Sequence, residues 1–193
     1  MVDTLKSQSI HNLDGDASSL PQANIFTQNN AGAGAPGLLR SVSDFVAMTA
    51  AGLGSTSSTY KLVRLQSDVI LKSLNLIFST PPDTGGGSDT LALDVGAYYS
   101  DSTTDGTSSA NQGTAISATS FASAFLVTAT TGAKGVKNNV LLNINPNLFN
   151  SPLWVALGLS ADPGGQIDVV VAVHTVADAA AAAVMYCEAS YAL

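Results

Sequence analysis

The chain has 193 residues, of which 46% are hydrophobic and only 11% charged, and it carries a net charge of −7. Glu188 is its single glutamate, and its seven cations (Lys6, Arg40, Lys61, Arg64, Lys72, Lys134 and Lys137) are scattered. That excludes the Glu–Lys pairing of a charged helical protein and the clustered basic surface that grips nucleic acid, so no nucleic acid is expected as a partner.

Residues 1–38 show no sustained period and collect Asn, Gln, Ser, Gly and Pro, as in Gln28-Asn29-Asn30 and the run from Ala31 to Gly37. Such a stretch buries too little apolar surface to offset its own ordering entropy. It reads either as a solvated tail or as an extended arm that orders against a neighbouring subunit. The anchors Leu20, Ile25, Phe26, Leu38 and Leu39 favour the arm and are the candidate contacts to a neighbouring subunit. Residues 1–20 are polar and include Asp3, Asp14 and Asp16, so no secretory signal is expected.

From residue 39 to 193 the texture is that of a β-domain. Ser41 to Thr49 is a first strand, followed by a Gly/Ser loop. Tyr60 to Gln66 and Val69 to Phe78 are strands broken at Ser67-Asp68. In the second of these, Ile70, Leu74, Leu76 and Phe78 share one face and Leu71, Ser73 and Asn75 the other. Pro81 to Ser88 is a loop. Thr90 to Tyr99 alternates cleanly, with Leu91, Leu93, Val95, Ala97 and Tyr99 on one side. Asp101 to Gln112 is a second loop.

Phe121, Ala124 and Phe125 are spaced as on a helix, which predicts a short helical turn within Ser120 to Val127. Asn139 to Ile144 is a weak strand. Pro152 to Leu157 predicts a short helix begun by proline and ended by Gly158, with Trp154 as the anchor that plugs the core. A turn at Asp162-Pro163-Gly164-Gly165 leads into Gln166 to Val176, where Ile167, Val169, Val171 and Val173 share a face. Asp178 and Ala179 to Ala183 reverse the chain, and Val184 to Tyr191 closes it. About eight short strands without a βαβ rhythm predict an all-β, jelly-roll-like β-sandwich.

No catalytic constellation is legible. The two histidines are His11, in the arm, and His174, on the strand side shared with Asp168, Val170, Ala172 and Val176. His174 reads as a satisfied surface or interface side chain, because no nucleophile accompanies it. There is no G-x-S-x-G elbow and no phosphate loop. The stretch Asp83 to Asp89 lacks the spaced acids of a calcium loop and reads as a turn. Cys187, the single cysteine, reads as a small buried hydrophobe. No cofactor and no metal are expected. The apolar tract from Val169 to Cys187 is interrupted by His174 and Asp178, unlike a membrane span of about 20 continuous residues, so no membrane insertion is expected.

Several segments, in this order, resemble the decoration or cement proteins on the capsids of tailed bacteriophages, podophages in particular. They are Ser43 to Val46, Tyr60 to Leu76, Leu93 to Tyr98, Phe121 to Leu126 and, most tellingly, Ser151 to Val169 (SPLWVALGLSADPGGQIDV). The resemblance spans roughly residues 40–191. It implies a jelly-roll domain seated in many copies on the outer face of the capsid shell. Its partners would be the major capsid protein and copies of itself, as a homodimer or homotrimer, and it would not be an enzyme. The competing reading is an all-β tail or fibre module that binds a receptor or glycan.

Overall fold

The computed structural model describes residues 4–6, 39–85, 89–102, 109–128 and 130–193. The strands are β1 (Thr4–Lys6), β2 (Leu39–Met48), β3 (Thr59–Gln66), β4 (Ile70–Phe78), β5 (Ala92–Tyr99), β6 (Ala115–Leu126), β7 (Asn138–Asn139), β8 (Gln166–Thr175) and β9 (Ala183–Ala192). Two single-turn helices, α1 (Ala50–Leu53) and α2 (Leu153–Ala156), and a 3-10 turn at Pro146–Leu148 lie between them.

The strands form two sheets, ordered β1-β3-β8-β5-β6 and β2-β9-β4-β7. Pairing is antiparallel except where β1 runs parallel to β3. Setting β1 aside, each strand has as a neighbour the one equally far from the opposite end: β2 with β9, β3 with β8, β4 with β7, β5 with β6. This is one long antiparallel hairpin rolled up so that its rungs fall alternately in the two sheets, which makes the expected β-sandwich a jelly roll.

The period-two pattern places the core between the sheets. Leu91, Leu93, Val95 and Ala97 of the fifth-strand region and Ile167, Val169 and Val171 of β8 are all fully buried, facing Leu74, Leu76, Phe78, Met185, Cys187 and Ala189 of the other sheet. In β4 the expected face assignment changes at one point. A bulge between Leu71 and Ser73 re-aims the strand, so Leu71 is buried and Ile70 is not. An extra residue flips every side chain beyond it to the other face.

The helical turn expected within Ser120 to Val127 is instead part of strand β6. Tyr98 and Ala92 are six residues apart on β5, yet their partners Ala115 and Leu126 are eleven apart on β6. The surplus is taken up in bulges, which give Phe121, Ala124 and Phe125 their helix-like spacing. One bulge brings the Ala118 carbonyl over Gly96, where any Cβ would lie 2.4 Å from that group, so only glycine fits. Ser120 Oγ accepts the Ala97 amide at 3.0 Å, replacing the ladder acceptor that the bulge moved away. The weak strand expected over Asn139 to Ile144 is reduced to Asn138–Asn139.

The α2 turn forms where proline predicted it, closing in the two-bond motif of a left-handed glycine cap. Gly158 has φ +76°, its amide donates to Val155 O at 2.9 Å, and Leu159 N donates to Trp154 O at 3.1 Å. The anchoring side chain differs from expectation. Leu153 is buried, whereas Trp154 is only half-buried and lies outside the core. The Leu153 and Trp154 amides donate to Val69 O and Ser67 O at 2.7 and 3.0 Å. That backbone tether to the β3–β4 turn fixes which α2 residue points inward.

Candidate interaction surface

The outward faces of the two sheets differ in chemistry. On the β3-β8-β5 face, Arg64 and Asp168 are cross-strand partners, and both side chains are buried. Arg64 Nε donates to Asp168 Oδ1 at 2.6 Å and Nη2 to Oδ2 at 3.0 Å. Asp101, carried back by the loop after β5, accepts from Arg64 Nη2 at 3.0 Å and from Lys61 Nζ at 2.6 Å. Burial pushes the Asp168 carboxyl above its usual range, and the two Arg64 bonds oppose that without cancelling it. With the β6 bulge over Gly96, this face is partly closed by the chain's own loops.

On the same side, His174 Nδ1 lies 3.0 Å from Asp94 Oδ2, and Asp94 Oδ1 accepts the Ala124 amide at 2.8 Å. His174 is thus the satisfied, exposed histidine the sequence implied. Ala124 has φ +47°, a left-handed conformation that non-glycine residues resist.

Among the described residues, the β2-β9-β4-β7 sheet carries no such cluster outward. Its side chains run in rows across the strands: Ala47 and Val184, then Phe45, Tyr186 and Ile77, then Ser43, Glu188, Asn75 and Asn139, then Ser41, Ser190 and Ser73. All are exposed or half-buried. Phe45 and Tyr186 are 46% and 42% exposed, with ring centroids 5.6 Å apart and planes tilted by 43°. Among the described residues, the charged pair on these rows is Lys137 Nζ with Glu188 Oε2 at 2.7 Å, out in solvent. An aromatic row beside an almost uncharged polar field is the composition of a protein–protein contact.

The predicted contact residues are only partly placed. Leu20, Ile25, Phe26 and Leu38 lie outside the described residues, and so does the rest of the predicted arm apart from Thr4–Lys6. Leu39 opens β2 and is 67% exposed, on the same face of the strand as Phe45. The sequence reading missed Phe45 and Tyr186. Their signal was a doubled apolar step, Phe45-Val46 and Met185-Tyr186-Cys187, in strands that otherwise alternate. Where two neighbours are both apolar, one must point outward.

The remaining acidic loop is a structural clip. The buried Asp83 carboxylate accepts the amides of Thr90 and Leu91 at 3.1 Å each, and those of Gly85 and Ala179 at 3.3 Å each. Burial alone would raise its pKa, but the Leu91 amide, the Asp178 carboxyl and the Gly85 and Thr90 amides together hold it below the usual range. Asp178 moves the other way, its pKa raised first by the hydrogen bond to Asp83. Cys187 is a buried free thiol, and burial, with Asp44 and Glu188 nearby, pushes its pKa up.

No protein-family model matches the chain, and no curated protein matches it. Among solved structures it is similar to a chain of the cyanophage Pam1 capsid asymmetric unit. The TM-score is 0.54 at 21% identity, covering 92% of this chain and 99% of that one. At that identity the likeness is one of fold, and it extends over nearly the whole of both chains.

Proposed function

We propose that this protein is a structural capsid component of a tailed bacteriophage, a decoration or cement protein rather than an enzyme. It sits on the outer surface of the virion, binds the major capsid protein and copies of itself, and stabilises the shell. The observation that carries this reading is the near full-length fold similarity to a chain of a phage capsid asymmetric unit. The bare face of β2-β9-β4 supports it, since a protein whose work is adhesion needs a broad, weakly charged contact area. That face, centred on Phe45 and Tyr186, is the part that meets the shell. Residues 1–38 act as an arm whose apolar anchors add avidity across a many-copy lattice.

The half-exposed Trp154 is the feature that favours a glycan-binding tail or fibre module instead, because sugars stack on aromatic faces. Quantitative mass spectrometry of purified particles separates the two readings. A copy number close to that of the shell protein supports cement, and a few copies per particle support a tail module. Phe45→Ser/Tyr186→Ser should leave the fold intact and empty its sites on decoration-free capsids. Full occupancy by that variant would sink the assignment of the face.

A further inference from the structure

The four sheet edges are not alike. Among the described residues, β1 is three residues long, β7 two, and β6 is repeatedly bulged. These are the usual means of blunting an edge. β2 is the exception. It runs ten residues, Leu39–Met48, in unbroken register with β9, and β9 is its only strand partner among the described residues.

Its sequence, Leu39-Arg40-Ser41-Val42-Ser43-Asp44-Phe45, is complementary to itself when reversed about Val42. We infer that β2 pairs antiparallel with β2 of a second copy, with the two-fold axis at Val42, joining the two four-stranded sheets into one. In that register Leu39 lies opposite the partner copy's Phe45, Arg40 opposite its Asp44, and Ser41 opposite its Ser43. The first and third pairings are apolar on apolar and hydroxyl on hydroxyl, and the second brings Arg40 toward an Asp44 carboxylate that also accepts its own chain's Phe45 amide at 2.8 Å. The first joins two of the large hydrophobic side chains left most exposed in the single chain, at 67% and 46%. A one-residue slip in the sum of paired positions would set Arg40 opposite Ser43 or Phe45 and discard all three matches. An isologous contact of this kind closes on itself as a dimer and leaves no free β2 edge for further growth.

The inference deepens the self-association part of the proposed function and rests on it, but not on the shell. The test is made on the full chain in solution without capsids. Ser41→Cys and Ser43→Cys variants are prepared separately, on exposed positions, with Cys187 left in place because its thiol is buried. Under mild oxidation, a mixture of the two should form disulfide-linked dimers, and each alone should not, since opposed β-strand positions lie within disulfide reach. Sedimentation of the unmodified chain should show a species of twice the single-chain mass. Arg40→Asp should weaken it by about tenfold or more, having set two carboxylates face to face. A monomer throughout the accessible concentration range would overturn the inference. So would either cysteine variant cross-linking alone as readily as the mixture. An intact dimer that fails to occupy capsids would count against the shell reading and leave this one standing.

Discussion

Arg64 and Asp168 meet across β3 and β8 in a two-bond fork, 2.6 and 3.0 Å long, with both side chains buried. A buried pair of this kind contributes little net stability, because desolvation offsets most of the attraction, but losing one partner strands the other. Arg64→Met should therefore destabilise the fold by about 3–5 kcal/mol, and Arg64→Met/Asp168→Leu should recover most of that. The single variant should also gain stability as the pH falls, since Asp168, with its pKa already raised, would then fold best protonated. Denaturant melts of the two variants check this, and equal losses in both would refute it.

The Asp83–Asp178 pair sets opposite pH limbs. Asp83, with its folded pKa lowered, contributes stability that is present above its unfolded value and lost as pH falls through the folded one. Asp178, with its folded pKa raised, contributes stability that is present below its unfolded value and lost as pH rises through the folded one. Asp178→Asn supplies a permanent donor to Asp83. It should melt higher than the parent at neutral pH, and the gap should close as the pH falls and Asp178 itself takes up a proton. Thermal melts over about pH 3 to about pH 8 would show this, and a gap independent of pH would contradict it.

Ala124 holds φ +47° at a β6 bulge, with its amide fixed by Asp94. Replacing it by glycine removes the Cβ conflict of a left-handed residue. Ala124→Gly should raise stability by about 1 kcal/mol, where glycine placed within a regular strand would lower it. A loss of stability in chemical unfolding would show that the left-handed turn is not maintained in solution.

At α2 the two adjacent large side chains should respond in inverse order to their size. Leu153→Ala removes a buried group and should cost about 2–5 kcal/mol. Trp154→Ala removes a half-buried ring and should cost under about 2 kcal/mol. Urea midpoints of both variants decide it, and a larger loss at Trp154 would restore that ring as the anchor.

These cases also mark where the sequence was legible. The alternations in β5 and β8 left one assignment open, so their inward faces were readable residue by residue. The glycine cap at Gly158 was readable because its chemistry is local. In β4, Ile70 and Leu71 are equally apolar, and the bulge that selects Leu71 depends on the register with β9. In β6, extra residues mimic a helical period because nothing local separates a bulge from a turn. Trp154 was misplaced for a similar reason: the backbone bonds to Ser67 and Val69 turn α2, and they are tertiary. The interaction face depends on strand order, because Phe45 and Tyr186 become one patch only when β2 lies beside β9.

That adjacency has a kinetic side. Leu39 pairs with Ala192 and Met48 with Ala183, so the outermost rung of the rolled hairpin joins segments separated by nearly the whole domain. Contacts of such long sequence separation close late and make jelly rolls slow to fold. During synthesis β2 emerges well before its partner exists, so for that interval both of its edges and its Phe45 are open to other nascent chains. Strand β9 is therefore the latch of the sandwich. Conditions that slow its docking, more than any that weaken the finished core, should govern how much of the protein reaches its native state.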